Sequence, residues 1–228
     1  MDLPTVVSRD EWLAARTELL AKEKDLTRTY DAVCAQRRAL PMVEVDKEYV
    51  LEGPDGRVTL AELFDGRRQL ITYHFMWRWD LDAGCPTCSL VTDNVGDLAH
   101  LHATNTSYAI ITRGPWENVD KFRRRMGWTL PFYSSYGSDF NYDFHATLDQ
   151  QIVPAVYNYA PTSGVGEVHA ISVFLRDGDR IFHTYSAYAR GCEILLGTFQ
   201  YLDLTPLGRQ EDDGVMCWVR HHDSYATS

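Results

Sequence analysis

Near the start of the chain, apolar residues recur at helical spacing, running from Trp12 through Leu19, Leu26, Tyr30 and Val33 in a stretch rich in Ala, Leu, Glu and Lys. Ser8 and Glu11 precede it in the spacing of a capping box, where each side chain satisfies a free backbone amide of the other at a helix start. The pattern stops before Pro41. One or two amphipathic helices are therefore expected in an arm over residues 1–45, packed on the rest of the chain or on a second copy.

The pattern then shortens to that of strands. Residues 49–60 hold two strand-like runs around Gly53-Pro54-Asp55-Gly56, which predicts a hairpin. From Gln69 to Phe75 the chain is apolar with little charge, as a strand covered on both faces must be. A loop from Met76 to Gly84 leads to Cys85-Pro86-Thr87-Cys88, followed by Leu90, Val91, Val95, Leu98 and Leu101 on a helical period. A second apolar run, Tyr108 to Thr112, completes a βαβ unit whose two strands should lie parallel.

Residues 118–126 read as another helix, and 127–145, crowded with aromatics, Gly, Ser and Asn, as a long surface-lining loop. A late hairpin is expected over 170–185 around Asp177-Gly178-Asp179, then a helix near 193–202 ahead of Thr205-Pro206. Strands and helices thus alternate in one α/β domain over 46–206 with a mixed central sheet. The segment 207–228 shows no regular pattern and is expected to pack on that domain.

Composition removes several functions. The net charge of −10 on 228 residues opposes a nucleic-acid backbone, so no nucleic-acid partner is expected. No apolar run approaches the roughly 18 residues needed to cross a bilayer, and Met1-Asp2-Leu3-Pro4 lacks a basic stretch followed by an apolar one. A cytoplasmic protein with no membrane partner is the expectation. Five cysteines, three of them isolated (Cys34, Cys192, Cys217), do not form a secreted disulfide framework.

Cys85 and Cys88 are the exception. At a helix start the backbone amides stabilise a thiolate, so Cys85 is the candidate nucleophile; Cys88, one turn further in, is the candidate resolving thiol. Pro86 suits the first turn, where its missing donor costs nothing. Three readings of the pair remain open: redox chemistry, metal ligation and a structural role. Redox chemistry makes the protein an oxidoreductase acting on a small-molecule or thiol/disulfide substrate with no cofactor required. In the second reading, Cys85, Cys88 and His183 form a soft ligand set suited to copper or zinc, as in a copper-assisted oxidase or oxygenase acting on a small aromatic molecule. The third is a non-catalytic binding module. Trp77 and Trp79 flank Arg78 ahead of the pair, and together with Tyr136 and Phe140 of the aromatic segment they are candidates for holding a substrate. Asp80 and Asp82 would raise a nearby thiol pKa, an effect Arg78 could offset. No phosphate-cradling Gly loop, Ser elbow or His-Glu-x-x-His helix is present.

Several stretches carry a family resemblance: Glu11-Trp12-Leu13-Ala14-Ala15-Arg16, Tyr73-His74-Phe75-Met76, Cys85-Pro86-Thr87-Cys88-Ser89, Arg125-Met126-Gly127-Trp128, residues 134–144, Phe182-His183-Thr184-Tyr185-Ser186 and Trp218-Val219-Arg220-His221-His222-Asp223. The chain resembles the thioredoxin-like family catalogued as domain of unknown function 899, over almost its whole length. The resemblance implies a thioredoxin-like three-layer α/β/α fold with a central mixed sheet and an N-terminal helical extension. Residues 50–60 with the following strand are more distantly similar to peroxiredoxins, although Arg78 and Asp82 stand where those proteins carry the Pro and Thr of Pro-x-x-x-Thr-x-x-Cys. Where thioredoxins place a cis-proline, this chain reads Val168-His169-Ala170-Ile171. A homodimer is a possible assembly.

Overall fold

The structure is a computed structural model and describes residues 3–225, so the first two and last three residues of the expected arm and tail lie outside it. Helix α1 (Arg9–Arg38) is a single helix rather than two. The capping box forms as expected: the Glu11 amide donates to Ser8 Oγ at 3.3 Å and the Ser8 amide to Glu11 Oε2 at 2.9 Å. Acidic residues in its first turn and Arg37 and Arg38 in its last match the helix dipole. None of its residues is buried.

Eight strands form one mixed sheet: β1 (Val43–Glu44), β2 (Val50–Gly53), β3 (Gly56–Thr59), β4 (Gln69–Phe75), β5 (Thr106–Thr112), β6 (Phe132–Ser134), β7 (Ala170–Asp177) and β8 (Arg180–Tyr188), in the order β1-β8-β7-β4-β5-β6-β2-β3. β4 runs parallel to β5, and β5 to β6, while β7 lies antiparallel to both β4 and β8. All seven residues of β5 are buried, the consequence of a central strand with both faces covered.

Alternation along β4 divides the interior. Tyr73 and Phe75 face a core shared with α2 (Pro86–Asp93), α4 (Trp116–Arg125) and α6 (Gly197–Leu202), through Val91, Val119, Phe122 and Phe199. Leu70 faces a second core with Leu63, Phe64, Phe140, Phe144 and Phe174, closed by the single-turn α5 (Phe140–Asp143) and a 3-10 turn at Glu62–Phe64. Helix α2 follows β4, leads back to parallel β5, and the antiparallel β7 and β8 lie on the other side of β4, followed by α6. The resulting order β8-β7-β4-β5 defines a thioredoxin-like fold of three layers with a helical extension ahead of it. Among the described residues no helix is long and apolar enough to cross a membrane.

Two expectations are corrected. The helix expected through Leu101 stops at Asp93, and a separate turn, α3 (Ala99–His102), follows. Asn94 ends α2, its Nδ2 donating to Leu90 O at 2.7 Å while its Oδ1 accepts from the Thr198 amide at 2.7 Å, so the side chain ties the helix end to α6. The 127–145 segment is no surface loop, because it contributes β6 and buries Phe140, Tyr142 and Phe144. Its aromatic content is the content of a second core.

Candidate active site

A two-strand hairpin, Trp77–Arg78 against Ala83–Gly84, carries the chain from the end of β4 to the start of α2. Gly84 has to be glycine: a Cβ there would collide with the rings of Phe122 and Phe75. The Cys85 amide donates to Met76 O at 3.1 Å, closing the hairpin. Cys85 is then the N-cap of α2, in extended backbone conformation, with Pro86 in the first turn.

The two sulfurs occupy contrasting environments. Cys85 is 8% exposed and Cys88 1%. Hydrogen bonding from Cys88 lowers the Cys85 pKa to about 5 against the opposing effect of burial, with further donation from the Thr87 hydroxyl and the Thr87 and Cys88 amides. Thr87 Oγ1 lies 3.1 Å from Cys85 Sγ. Burial pushes the Cys88 thiol well above the ordinary range, and the charge on Cys85 pushes it further. Its sulfur accepts from the Met76 amide at 3.4 Å. Both sulfurs are thus buried, Cys85 at the helix start with its pKa lowered by hydrogen bonds and Cys88 deeper with its pKa raised.

The surrounding charges are accounted for. Arg78 binds Asp80 through two hydrogen bonds of 2.8 and 2.6 Å, so that acid is neutralised as expected. Asp82 accepts from Asn118 Nδ2 at 2.8 Å and from Trp77 Nε1 at 3.3 Å, anchoring the hairpin. The C-terminal segment also reaches this region: His221 Nε2 is 2.8 Å from Gly84 O, and Arg125 holds Asp223.

Of the four aromatics expected at a substrate surface, the structure brings two together. Trp79 and Tyr136, 48% and 60% exposed, have ring centroids 6.1 Å apart. The other two are corrected. Trp77 is 2% exposed and packs in the first core against Phe122, and Phe140 is fully buried in the second core, stacked on His74, so neither presents a surface to a ligand. His183 is not beside the cysteines either. It packs on Phe144 and Phe174 on the other side of the sheet and is 2.8 Å from Ser186 Oγ. The Cys85, Cys88 and His183 ligand set is therefore not assembled, and no group of three potential ligands occurs among the described residues.

Three neighbours of the pair escaped the sequence reading: Thr87, Tyr73 and Cys192. Tyr73 could have been found, since residues alternate along β4 and an odd-numbered position must face the same side as Phe75 and the helix carrying the cysteines.

The fold and this site together define a thioredoxin-like protein with a Cys-x-x-Cys pair at a helix start. A family model described as "Bacterial protein of unknown function (DUF899)" matches residues 1–225, and the chain belongs to that family. No curated protein matches it. Among solved structures it is similar to Xanthomonas campestris peroxiredoxin Q, at 13% identity over 67% of this chain and 90% of that one with a TM-score of 0.46. It is also similar to Xylella fastidiosa PrxQ (12% identity, 71% of this chain, 94% of that chain, TM-score 0.45). A third is peroxidoxin BcpB from Mycobacterium tuberculosis (16% identity, 72% of this chain, 97% of that chain, TM-score 0.44).

Proposed function

We propose that the protein is a thiol-disulfide oxidoreductase, with Cys85 as nucleophile and Cys88 as resolving thiol, working in a reducing compartment such as the cytoplasm. The observation that carries this reading is the placement of the two sulfurs: Cys85 caps the start of α2, where hydrogen bonds from Cys88 and from the Thr87 hydroxyl, 3.1 Å from its sulfur, lower its pKa, while Cys88 lies one turn deeper with the Met76 amide 3.4 Å from its sulfur, and burial raises its pKa.

Cys85 thiolate attacks one sulfur of a substrate disulfide, forming a mixed disulfide and expelling the other substrate sulfur as a thiolate. Cys88 then gives up its proton and attacks Cys85 Sγ, which releases the second substrate sulfur and leaves the Cys85–Cys88 disulfide. Two electrons have passed to the substrate, and an external dithiol restores the pair. A low nucleophile pKa stabilises the reduced form, so the disulfide form is readily reduced and the pair sits toward the oxidising end of its class. Trp79 and Tyr136 are the exposed aromatic surface available to a substrate.

Turbidimetric reduction of insulin by a dithiol, with and without the protein, tests the reading. Catalysis lost in both Cys85→Ser and Cys88→Ser supports it; catalysis unchanged in Cys85→Ser overturns it.

A further inference from the structure

Beside the cysteine pair lies a cavity of about 250 Å³, lined by Val91 and Thr87 of α2, Leu196, Tyr157 and Met216, and by Tyr73. Tyr73 is 1% exposed, and its hydroxyl lies close to the Cys88 sulfur. No hydrogen bond of acceptable geometry forms there, and the hydroxyl has no partner among the described residues. A fully buried, unsatisfied hydroxyl is costly and rare in a folded protein. Its phenol stays protonated, because burial raises its pKa well above the ordinary value. The charged residues at the cavity are Arg190 and Glu193, which pair at 3.0 Å, and His169 is turned aside with its Nε2 3.1 Å from Ala189 O. The walls are largely apolar, and the space exceeds the roughly 150 Å³ that suffices for benzene.

We propose that this cavity is a binding site for a small neutral organic molecule of the phenol class, its ring between Val91, Leu196 and Met216 and its oxygen on the Tyr73 hydroxyl. The site is independent of the redox assignment, since it is read by binding alone. Titration of the full-length reduced protein with phenol and with toluene, followed by chemical-shift changes, tests it. One phenol should bind per chain, about five- to tenfold tighter than toluene, the value of one added hydrogen bond. Tyr73→Phe should abolish that preference while keeping toluene binding, and Met216→Trp, which fills the cavity from its wall, should weaken both probes. Absence of saturable binding, a preference that survives in Tyr73→Phe, or indifference to Met216→Trp overturns the assignment.

Discussion

Replacing Thr87 by valine removes the hydroxyl 3.1 Å from Cys85 Sγ and keeps the branched shape, so the helix start and its packing are preserved. A hydrogen bond to a charged group contributes about 1.5–3 kcal/mol, and 1.36 kcal/mol corresponds to one pKa unit. The Thr87 and Cys88 amides and the Cys88 thiol still donate to the thiolate. The Cys85 pKa should therefore rise from about 5 by about one to two units. Iodoacetamide alkylation as a function of pH, with the modified cysteine identified by mass, measures it directly. Cys88 is silent in the acid range because its thiol is buried and raised, so the low-pH wave belongs to Cys85. Near pH 5, alkylation of the variant should be slower by roughly tenfold, while the plateau rate at alkaline pH stays close to that of the natural chain. A midpoint that does not move refutes the role given to Thr87, and a midpoint near the free-thiol value in the natural chain refutes the stabilised thiolate.

Other perturbations give outcomes of known sign. His74 is buried between Asn141 and Ser172, and burial lowers its pKa to about 4. The unfolded chain binds that proton first, so stability in urea should fall as pH drops from about 6.5 toward 4, by up to about 3 kcal/mol from this group. Reduced protein should also lose stability as pH falls from the free-thiol range of about 8.5 down to the Cys85 value of about 5, with no further loss from this group below it, a component absent in Cys85→Ser. Gly84→Ala forces a methyl to within 2.6 Å of the Phe75 ring and should cost about 1–3 kcal/mol, read as a lower melting temperature. Arg113→Leu removes the charged partner of Glu167, whose side chain is 6% exposed, and leaves it the Thr147 hydroxyl at 3.0 Å; destabilisation of about 3–5 kcal/mol is expected, growing as pH rises above the ordinary carboxylate range because the buried acid without its counter-charge resists ionisation.

What the sequence made legible follows physical lines. The capping box at Ser8, the hairpin at Pro54-Asp55, the strand Gln69 to Phe75 and the late hairpin are local signals, each satisfied within a few residues, and each appears at the expected place. The aromatic segment was misjudged because Gly, Ser and Asn mark turns whatever lies between them, while the burial of Phe140 and Phe144 depends on Leu63, Phe64 and Phe174 elsewhere in the chain. Trp77 and Trp79 show the same limit: two residues apart, one sits beneath the hairpin and one outside it, a difference set by the Asp82 and Asn118 contacts. Cys85 and Cys88 were legible because their spacing and the adjoining helix are local. Tyr73 was within reach of the alternation along β4, whereas Cys192 entered the neighbourhood only through folding.

Capture of the mixed disulfide tests the central claim most directly. Cys88→Ser, which keeps the nucleophile and removes the resolving thiol, is mixed with glutathione disulfide at pH 6 and its intact mass recorded, with Cys85→Ser treated in parallel. One glutathione attached at Cys85 of the first variant, and none attached at Cys88 of the second, is the expected result. Equal labelling of both variants, or an unmodified Cys85, contradicts the assignment of nucleophile and resolving thiol.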